Sequence, residues 1–297
     1  VTNLYQDHLN RHLTMRGYAD IKANLFIGQQ QGQVLILNAD NKWTPYFSKL
    51  AKSKSKGHVW YFSASGKLNK KQNGVFYRNG KIWYQFDGHA HPVILIKDFE
   101  RTHGSHNLEN LLASALSAYL AGVTGKEIQS RIASLPQIQF RQEIIFKNKR
   151  LTIINDTTAT SPDGAIAAVK RFASPVRSRK AKAGQAEVIL IAGGTDRDLN
   201  FKEWGKIIPK YIKPQNLILL EGTATDKMRA VLPRRWLDVA TQVETLAEAI
   251  DQAIQIANSV KGSVILFSPG AKSFSRAFRN EYDRGRKFNA LVRKEVK

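Results

Sequence analysis

No cysteine occurs in the 297 residues, which excludes disulfides, thiolate metal sites and a cysteine nucleophile. Acidic residues are scarce as well: 24 Asp and Glu stand against 46 Lys and Arg, for a formal charge of +22. A field of that sign attracts nucleic acid, anionic membrane or phosphorylated substrates without choosing among them. No apolar run approaches the ~20 residues of a membrane-spanning helix, so no membrane insertion is expected. The opening Val1-Thr2-Asn3-Leu4 lacks an initiator Met and the charged-then-apolar layout of a signal peptide. With the absent cysteine, this reads as a cytoplasmic protein. No Gly-x-Gly-x-x-Gly follows the first strand of the alternating carboxyl-terminal region, which disfavours NAD.

What is present fits a globular chain of two domains, with 42% hydrophobic and 9% aromatic residues. From about residue 141 onward, strand and helix patterns alternate: 151–155, 162–172, 187–192, 201–211, 216–220, 243–258, 263–267 and 277–295. Such alternation predicts an α/β fold with a doubly wound, Rossmann-like parallel sheet. Leu151 to Asn155 reads as a buried strand, followed by a polar loop and by Ser161-Pro162, an N-cap with proline at the first helical position. Open α/β sheets place ligands at such carboxyl-terminal strand ends. Earlier in the chain, Val34–Asn38, His58–Ser63, Gly74–Arg78 and Lys81–Asp87 read as strands, with Asn79-Gly80 as a hairpin turn. Helix patterns cover 18–26, 108–123 and 124–133, and Lys52 to Lys56 reads as an exposed loop. The aromatics from Trp60 to Phe86 suit a sheet face better than base stacking, because no basic stripe alternates with them. Arg177, Arg179, Lys180 and Lys182 form a cluster without a stacking aromatic. It suits a solvated loop better than a nucleic-acid site, and no nucleic-acid partner is expected.

Several stretches resemble the Mur ligase family, and in particular its branch that adds D-glutamate to UDP-N-acetylmuramoyl-L-alanine. Asp156-Thr157-Thr158-Ala159-Thr160-Ser161-Pro162 is similar to that branch's Asp-Ser-Lys-Ala-Thr-Asn-Pro, with Thr158 in place of the lysine. Asp7-His8 followed by Tyr18 and Lys22 resembles a central-domain passage whose His helps bind magnesium and whose Lys is carbamylated. Asn38-Ala39-Asp40-Asn41 and Gly104-Ser105-His106-Asn107 resemble two further central-domain words. Residues 135–143 resemble the junction between central and carboxyl-terminal domains, keeping Arg141 but carrying Phe140 in place of a His. Gly193-Gly194-Thr195-Asp196-Arg197 and Ser268-Pro269-Gly270-Ala271-Lys272-Ser273-Phe274 resemble the amino-acid-binding words of the carboxyl-terminal domain.

The resemblance implies residues 1–140 as part of an ATP-binding central domain and 141–297 as a Rossmann-like domain receiving D-glutamate. It implies ATP and Mg2+ as cofactors, with His8 and a carbamate of Lys22 at the metal and Asn107, Arg141 and Asp156 on the nucleotide side. Lys22, His8 and Asp156 then carry the catalytic roles, and Thr160, Arg197, Ser273 and Phe274 receive D-glutamate. Asn107 also suits a plain helix start, and Ser275 competes with Ser273 as the substrate serine. Domain closure about Phe140 to Glu143 is expected. The family's Gly-x-x-Gly-Lys-Ser/Thr phosphate loop and its uridine-binding domain have no counterpart here, because Gly122 to Lys126 is followed by Glu127. The chain is therefore expected to be a fragment, inactive alone; a split enzyme whose remaining half is a separate chain is the second reading. A sibling amide ligase such as folylpolyglutamate synthetase, or a non-catalytic basic binding module, is the alternative.

Overall fold

The structure, a computed structural model, describes residues 1–5, 12–96, 99–132, 134–176, 186–260, 262–273 and 277–296. Two compact units are resolved, one of Val1–Tyr5 with Arg11–Pro136 and one that includes Gln137–Lys297.

In the first unit, β1 (Val34–Asn38), β2 (His58–Ser63) and β3 (Gly74–Arg78) pair in parallel, and β4 (Lys81–Phe86) and β5 (His89–Leu95) continue the sheet antiparallel. Asn79 and Gly80 both take positive φ, 52° and 73°, as the β3–β4 hairpin requires. Asp87-Gly88 repeats the device at 46° and 79°, and it launches β5, which the sequence reading missed. Five helices accompany the sheet among the described residues: α1 (Met15–Ala23), α2 (Thr44–Lys54), α3 (Phe99–His103), α4 (Ser105–Leu120) and α5 (Gly125–Ile132). The expected loop at Lys52 to Lys56 is corrected, since α2 runs through Lys54. Phe47 and Ala51 bury one side of that helix while its lysines face water. The apolar stripe of α4, Leu108, Leu112, Ala115 and Leu116, closes a core with Phe62, Val75, Ile82 and Ile94 of the sheet.

In the second unit, the strands are β6 (Glu143–Lys147), β7 (Leu151–Asn155), β8 (Glu187–Gly193), β9 (Leu217–Leu220), β10 (Thr241–Val243) and β11 (Ser263–Phe267). Their order is β10-β9-β8-β11-β7-β6, with every neighbour pair parallel except β6–β7. Odd and even strand residues feed separate cores. Ile154, Leu190 and Leu266 pack under α6 (Pro162–Phe172), α7 (Lys202–Tyr211), α8 (Thr223–Val231) and α9 (Arg234–Leu237). Ile153, Ile189, Ile191 and Phe267 pack under α10 (Leu246–Asn258) and α11 (Glu281–Glu295). The sheet is thus doubly wound, as expected from the alternation. Because β11 lies between β8 and β7 while its helix crosses to the opposite face from theirs, the crossovers diverge at these three strand ends. A crevice opens there.

Phe140 to Glu143, about which domain closure is expected, is fastened to this second unit. The Phe140 N–H donates to Glu143 Oε2 at 2.8 Å, the Gln142 N–H to Asp156 at 3.0 Å, and Thr158 donates twice to the Phe140 carbonyl. The Phe140 ring is 2% exposed, so it packs in the interior of this unit. It lies beneath Gly285, where an added Cβ would stand 2.8 Å from the ring and 2.7 Å from Thr157 Cγ2. Residues 134–139 are the exposed run that precedes this anchor. Gly285→Ala is expected to cost about 1–3 kcal/mol by overpacking, measured as a shift in urea midpoint at unchanged m-value.

Candidate functional site

The crevice is built by loops that leave β7, β8 and β11, and backbone hydrogen bonds stitch these loops together. The Asp156 N–H donates to the Phe267 carbonyl at 2.8 Å, and the Gly270 N–H donates to that of Ala159 at 2.8 Å, joining the loops after β7 and β11. Gly193 donates to Pro269 at 2.9 Å, and Thr195 and Lys272 form an antiparallel bridge, joining the loops after β8 and β11. Thr160, Arg197 and Ser273 each lie within two residues of one of these stitches. The structure therefore brings their three loops to a single sheet edge.

Asp156 lies just below that edge and is 2% exposed. One carboxylate oxygen accepts from the Gln142 N–H at 3.0 Å and the other from the Ser268 hydroxyl at 2.6 Å. Burial pushes its carboxyl up to about 7, against the opposing pull of those two donors and of Arg141 and Arg171. Arg171 in turn donates to the Gln142 side chain at 2.9 Å.

Arg284 enters the same edge from α11 and is 1% exposed. Its guanidinium donates to Thr157 Oγ1 at 2.9 Å and to the Thr157 carbonyl at 2.8 Å. Longer bonds of 3.3–3.4 Å reach the carbonyls of Ala271 and Lys272. Burial pushes its pKa down to about 9, so the group stays charged at neutral pH. Ser273, 3% exposed, donates to Glu281 at 3.3 Å. A cleft of about 470 Å³ opens beside it, with Thr195, Lys272 and Arg284 on one side and Leu246, Phe278 and Leu291 among the apolar residues of its lining. Thr160 and Arg197 are not among the residues that line this cleft.

The remaining expected residues fall as follows. Lys22 lies on α1 in the first unit, its ammonium 5.5 Å from the centre of the Tyr18 ring. Among the described residues, no three His, Asp or Glu side chains gather as a metal site would require. His8 and Phe274 lie outside the described residues, as does Ser275. Asn107 lies in the first turn of α4, where its amide donates to the His103 carbonyl at 2.7 Å and its oxygen accepts from Asn110 at 3.2 Å. Arg141 is exposed and belongs to the second unit, its N–H bonded to Ile138 at 3.1 Å. Thr158, in the lysine's place, donates its hydroxyl to the Phe140 carbonyl at 2.9 Å. Lys272, Arg284 and Ser268 were missed as site residues. Ser268 and Lys272 stood inside the last motif and Arg284 beyond it, but the bonds that join them to the site span 12 to 127 residues, beyond local pattern.

Residues 1–118 match the Mur ligase middle domain. The UDP-N-acetylmuramoylalanine--D-glutamate ligase of Roseiflexus sp. (strain RS-1) is 31% identical over 298 residues, covering 98% of this chain and 59% of that protein. The chain thus spans little more than half the length of this curated relative. The UDP-N-acetylmuramoylalanyl-D-glutamyl-2,6-diaminopimelate--D-alanyl-D-alanyl ligase of Acinetobacter baumannii superposes with a TM-score of 0.63 at 14% identity, over 99% of this chain and 57% of that one. A MurF ligase of Thermotoga maritima in complex with ADP gives 0.59 at 16% identity, over 99% and 62%. At these identities the structural likeness speaks for the fold alone.

The Asp156 carboxyl supplies a pH prediction. Its folded value near 7 lies above the ordinary 3.8, so its contribution to stability is fully present below about pH 4 and is lost as pH rises through 7. Asp156→Asn is expected to gain stability relative to the unsubstituted protein by a few kcal/mol across that window. Paired urea titrations at successive pH values measure it, and a constant difference between the two proteins would refute it.

Proposed function

The chain belongs to the Mur ligase family, and on that footing we propose that it carries the D-glutamate-receiving part of an ATP-dependent amide ligase. In the reaction proposed, the γ-phosphoryl group of ATP passes to the alanyl carboxylate of UDP-N-acetylmuramoyl-L-alanine, giving an acyl phosphate and ADP. The D-glutamate amine attacks the acyl carbon, its proton leaves to a base, and inorganic phosphate departs as the amide forms. The product extends a peptidoglycan precursor, a cytoplasmic step.

The observation that supports this reading best is the stitched edge bearing Thr160, Arg197 and Ser273. A guanidinium binds a carboxylate through two parallel hydrogen bonds, and the hydroxyls fix its orientation. Arg197 is assigned to one D-glutamate carboxylate, and Ser273 and Thr160 supply the hydroxyls. Lys272, adjoining Ser273, adds a cation to an edge where Thr158 no longer offers one. Asp156, with both oxygens engaged, acts as a positioning residue that holds Ser268 and Gln142. Asn107 and Arg141 are assigned to the nucleotide.

His8, which lies outside the described residues, and Lys22 are assigned to Mg2+. A bound Mg2+ would neutralise phosphate charge. The ammonium of Lys22 as it stands is no donor, whereas its carbamate would present an oxygen. No step is routed through the metal. The phosphate-binding loop must come from residues beyond these 297, whether contiguous with them or on a second chain. The fold likeness does not separate this reading from folylpolyglutamate synthetase relatives. The Asp156 to Pro162 wording favours D-glutamate, since those relatives typically carry His or Tyr after the Asp.

Phosphate release from ATP, Mg2+, UDP-N-acetylmuramoyl-L-alanine and D-glutamate tests the proposal, with the chain assayed alone and mixed with the amino-terminal half of a related ligase. Activity on mixing is expected. Arg197→Ala should raise the D-glutamate KM about tenfold or more while leaving the ATP KM within about threefold. Equal release with L-glutamate, or an unchanged D-glutamate KM in that variant, would contradict the assignment.

A further inference from the structure

The stretch from Asn41 to Phe86 contains no acidic residue and ten Lys and Arg, every one of them exposed. Part of this charge borders a groove of about 850 Å³ on the first unit. One wall is a stripe of α2 at four-residue spacing, Thr44, Ser48 and Lys52, and the other is the loop carrying Lys70 and Lys71. Val59 and Tyr61 of β2 lie between them, with His58 at the strand's start. The groove is held open by its own hydrogen bonds. The amide of buried Gln85 donates to the carbonyls of Asn69 and Gln72, both at 2.8 Å, and so pins the loop to the sheet. The Tyr61 and Ser48 hydroxyls meet at 3.1 Å and join the strand floor to the α2 wall. Lys52, Lys70 and Lys71 take no part in the ion pairs seen among the described residues.

A concave channel with cations on both rims and hydroxyls and amides between them suits a chain of phosphates. A flat bilayer would need apolar anchors, yet the large exposed apolar side chains of this unit lie before residue 28 or from Phe86 onward. Bases would need free ring faces, whereas the sheet's tryptophans are already stacked: Trp60 with Phe86 at 5.9 Å and Trp83 with Phe76 at 6.2 Å. We propose that this groove binds an extended polyphosphate chain through its backbone charge. The site is independent of the ligase reading, and the assigned D-glutamate and nucleotide residues do not line it.

Titration of the full chain with labelled inorganic polyphosphate tests the proposal. Saturable binding is expected to weaken about tenfold or more in Lys52→Glu/Lys70→Glu/Lys71→Glu. The slope of log K against log salt should become shallower by about 2. A control with the same charge change on α7, Lys202→Glu/Lys206→Glu/Lys210→Glu, should lose less than about threefold, since diffuse attraction is shared by the whole surface. Lys52→Gln/Lys70→Gln/Lys71→Gln, a milder change at exposed positions, should lie between the two, with circular dichroism unchanged in all three. Equal losses in the groove and control variants would overturn the site. Tighter binding of a single-stranded oligonucleotide with the same number of phosphates would overturn the occupant.

Discussion

A guanidinium that is 1% exposed must be solvated by whatever surrounds it, and around Arg284 the acceptors are the Thr157 hydroxyl and the carbonyls of Thr157, Ala271 and Lys272. Each of those carbonyls belongs to a loop that leaves the carboxyl end of a strand. The charge therefore does for the loops after β7 and β11 what no side-chain packing could do: it fixes their separation from below. Solvation lost on burial is regained only if both loops stay in place, which couples their order to the folding of α11. Through the Thr195–Lys272 bridge, the loop after β8 is held to the same frame.

The departures from the family's motifs make physical sense in that frame. The Thr158 hydroxyl, in the place of the family's lysine, turns to the Phe140 carbonyl. Phe140 fills the space beneath Gly285, with Tyr282 edge-on at 6.1 Å. Together they fasten residues 140–143 to the loop after β7. A cation is meanwhile present one loop away, at Lys272.

Sequence pattern conveyed much of the fold because the signals were local. Ser161-Pro162 sets the start of α6, and the Ser161 side chain caps it as expected. Asn79-Gly80 sets the β3–β4 turn, and the β-branched runs at 151–155 and 263–267 are central strands. Local interruption hid the rest. Pro92 and the flanking histidines disguise β5, a bulge between Ile144 and Phe146 breaks the alternation of β6, and lysines mask the Phe47–Ala51 stripe of α2. The expected helix at 277–295 starts later, at Glu281, because Asn280 caps it. At the site, Thr160, Arg197 and Ser273 could be read from contiguous motifs. The bonds of Arg284 to Thr157 span 127 residues, and no local spacing encodes them.

The account stands on D-glutamate being received at the edge that Arg284 organises. Amide NMR shift mapping on the full chain, with D-glutamate and L-glutamate compared, addresses that most directly. The account predicts that D-glutamate moves the amides of 157–160, 194–197 and 270–273 and that L-glutamate leaves them in place. Equal shifts from both enantiomers, or D-glutamate shifts confined to the first unit, would contradict it.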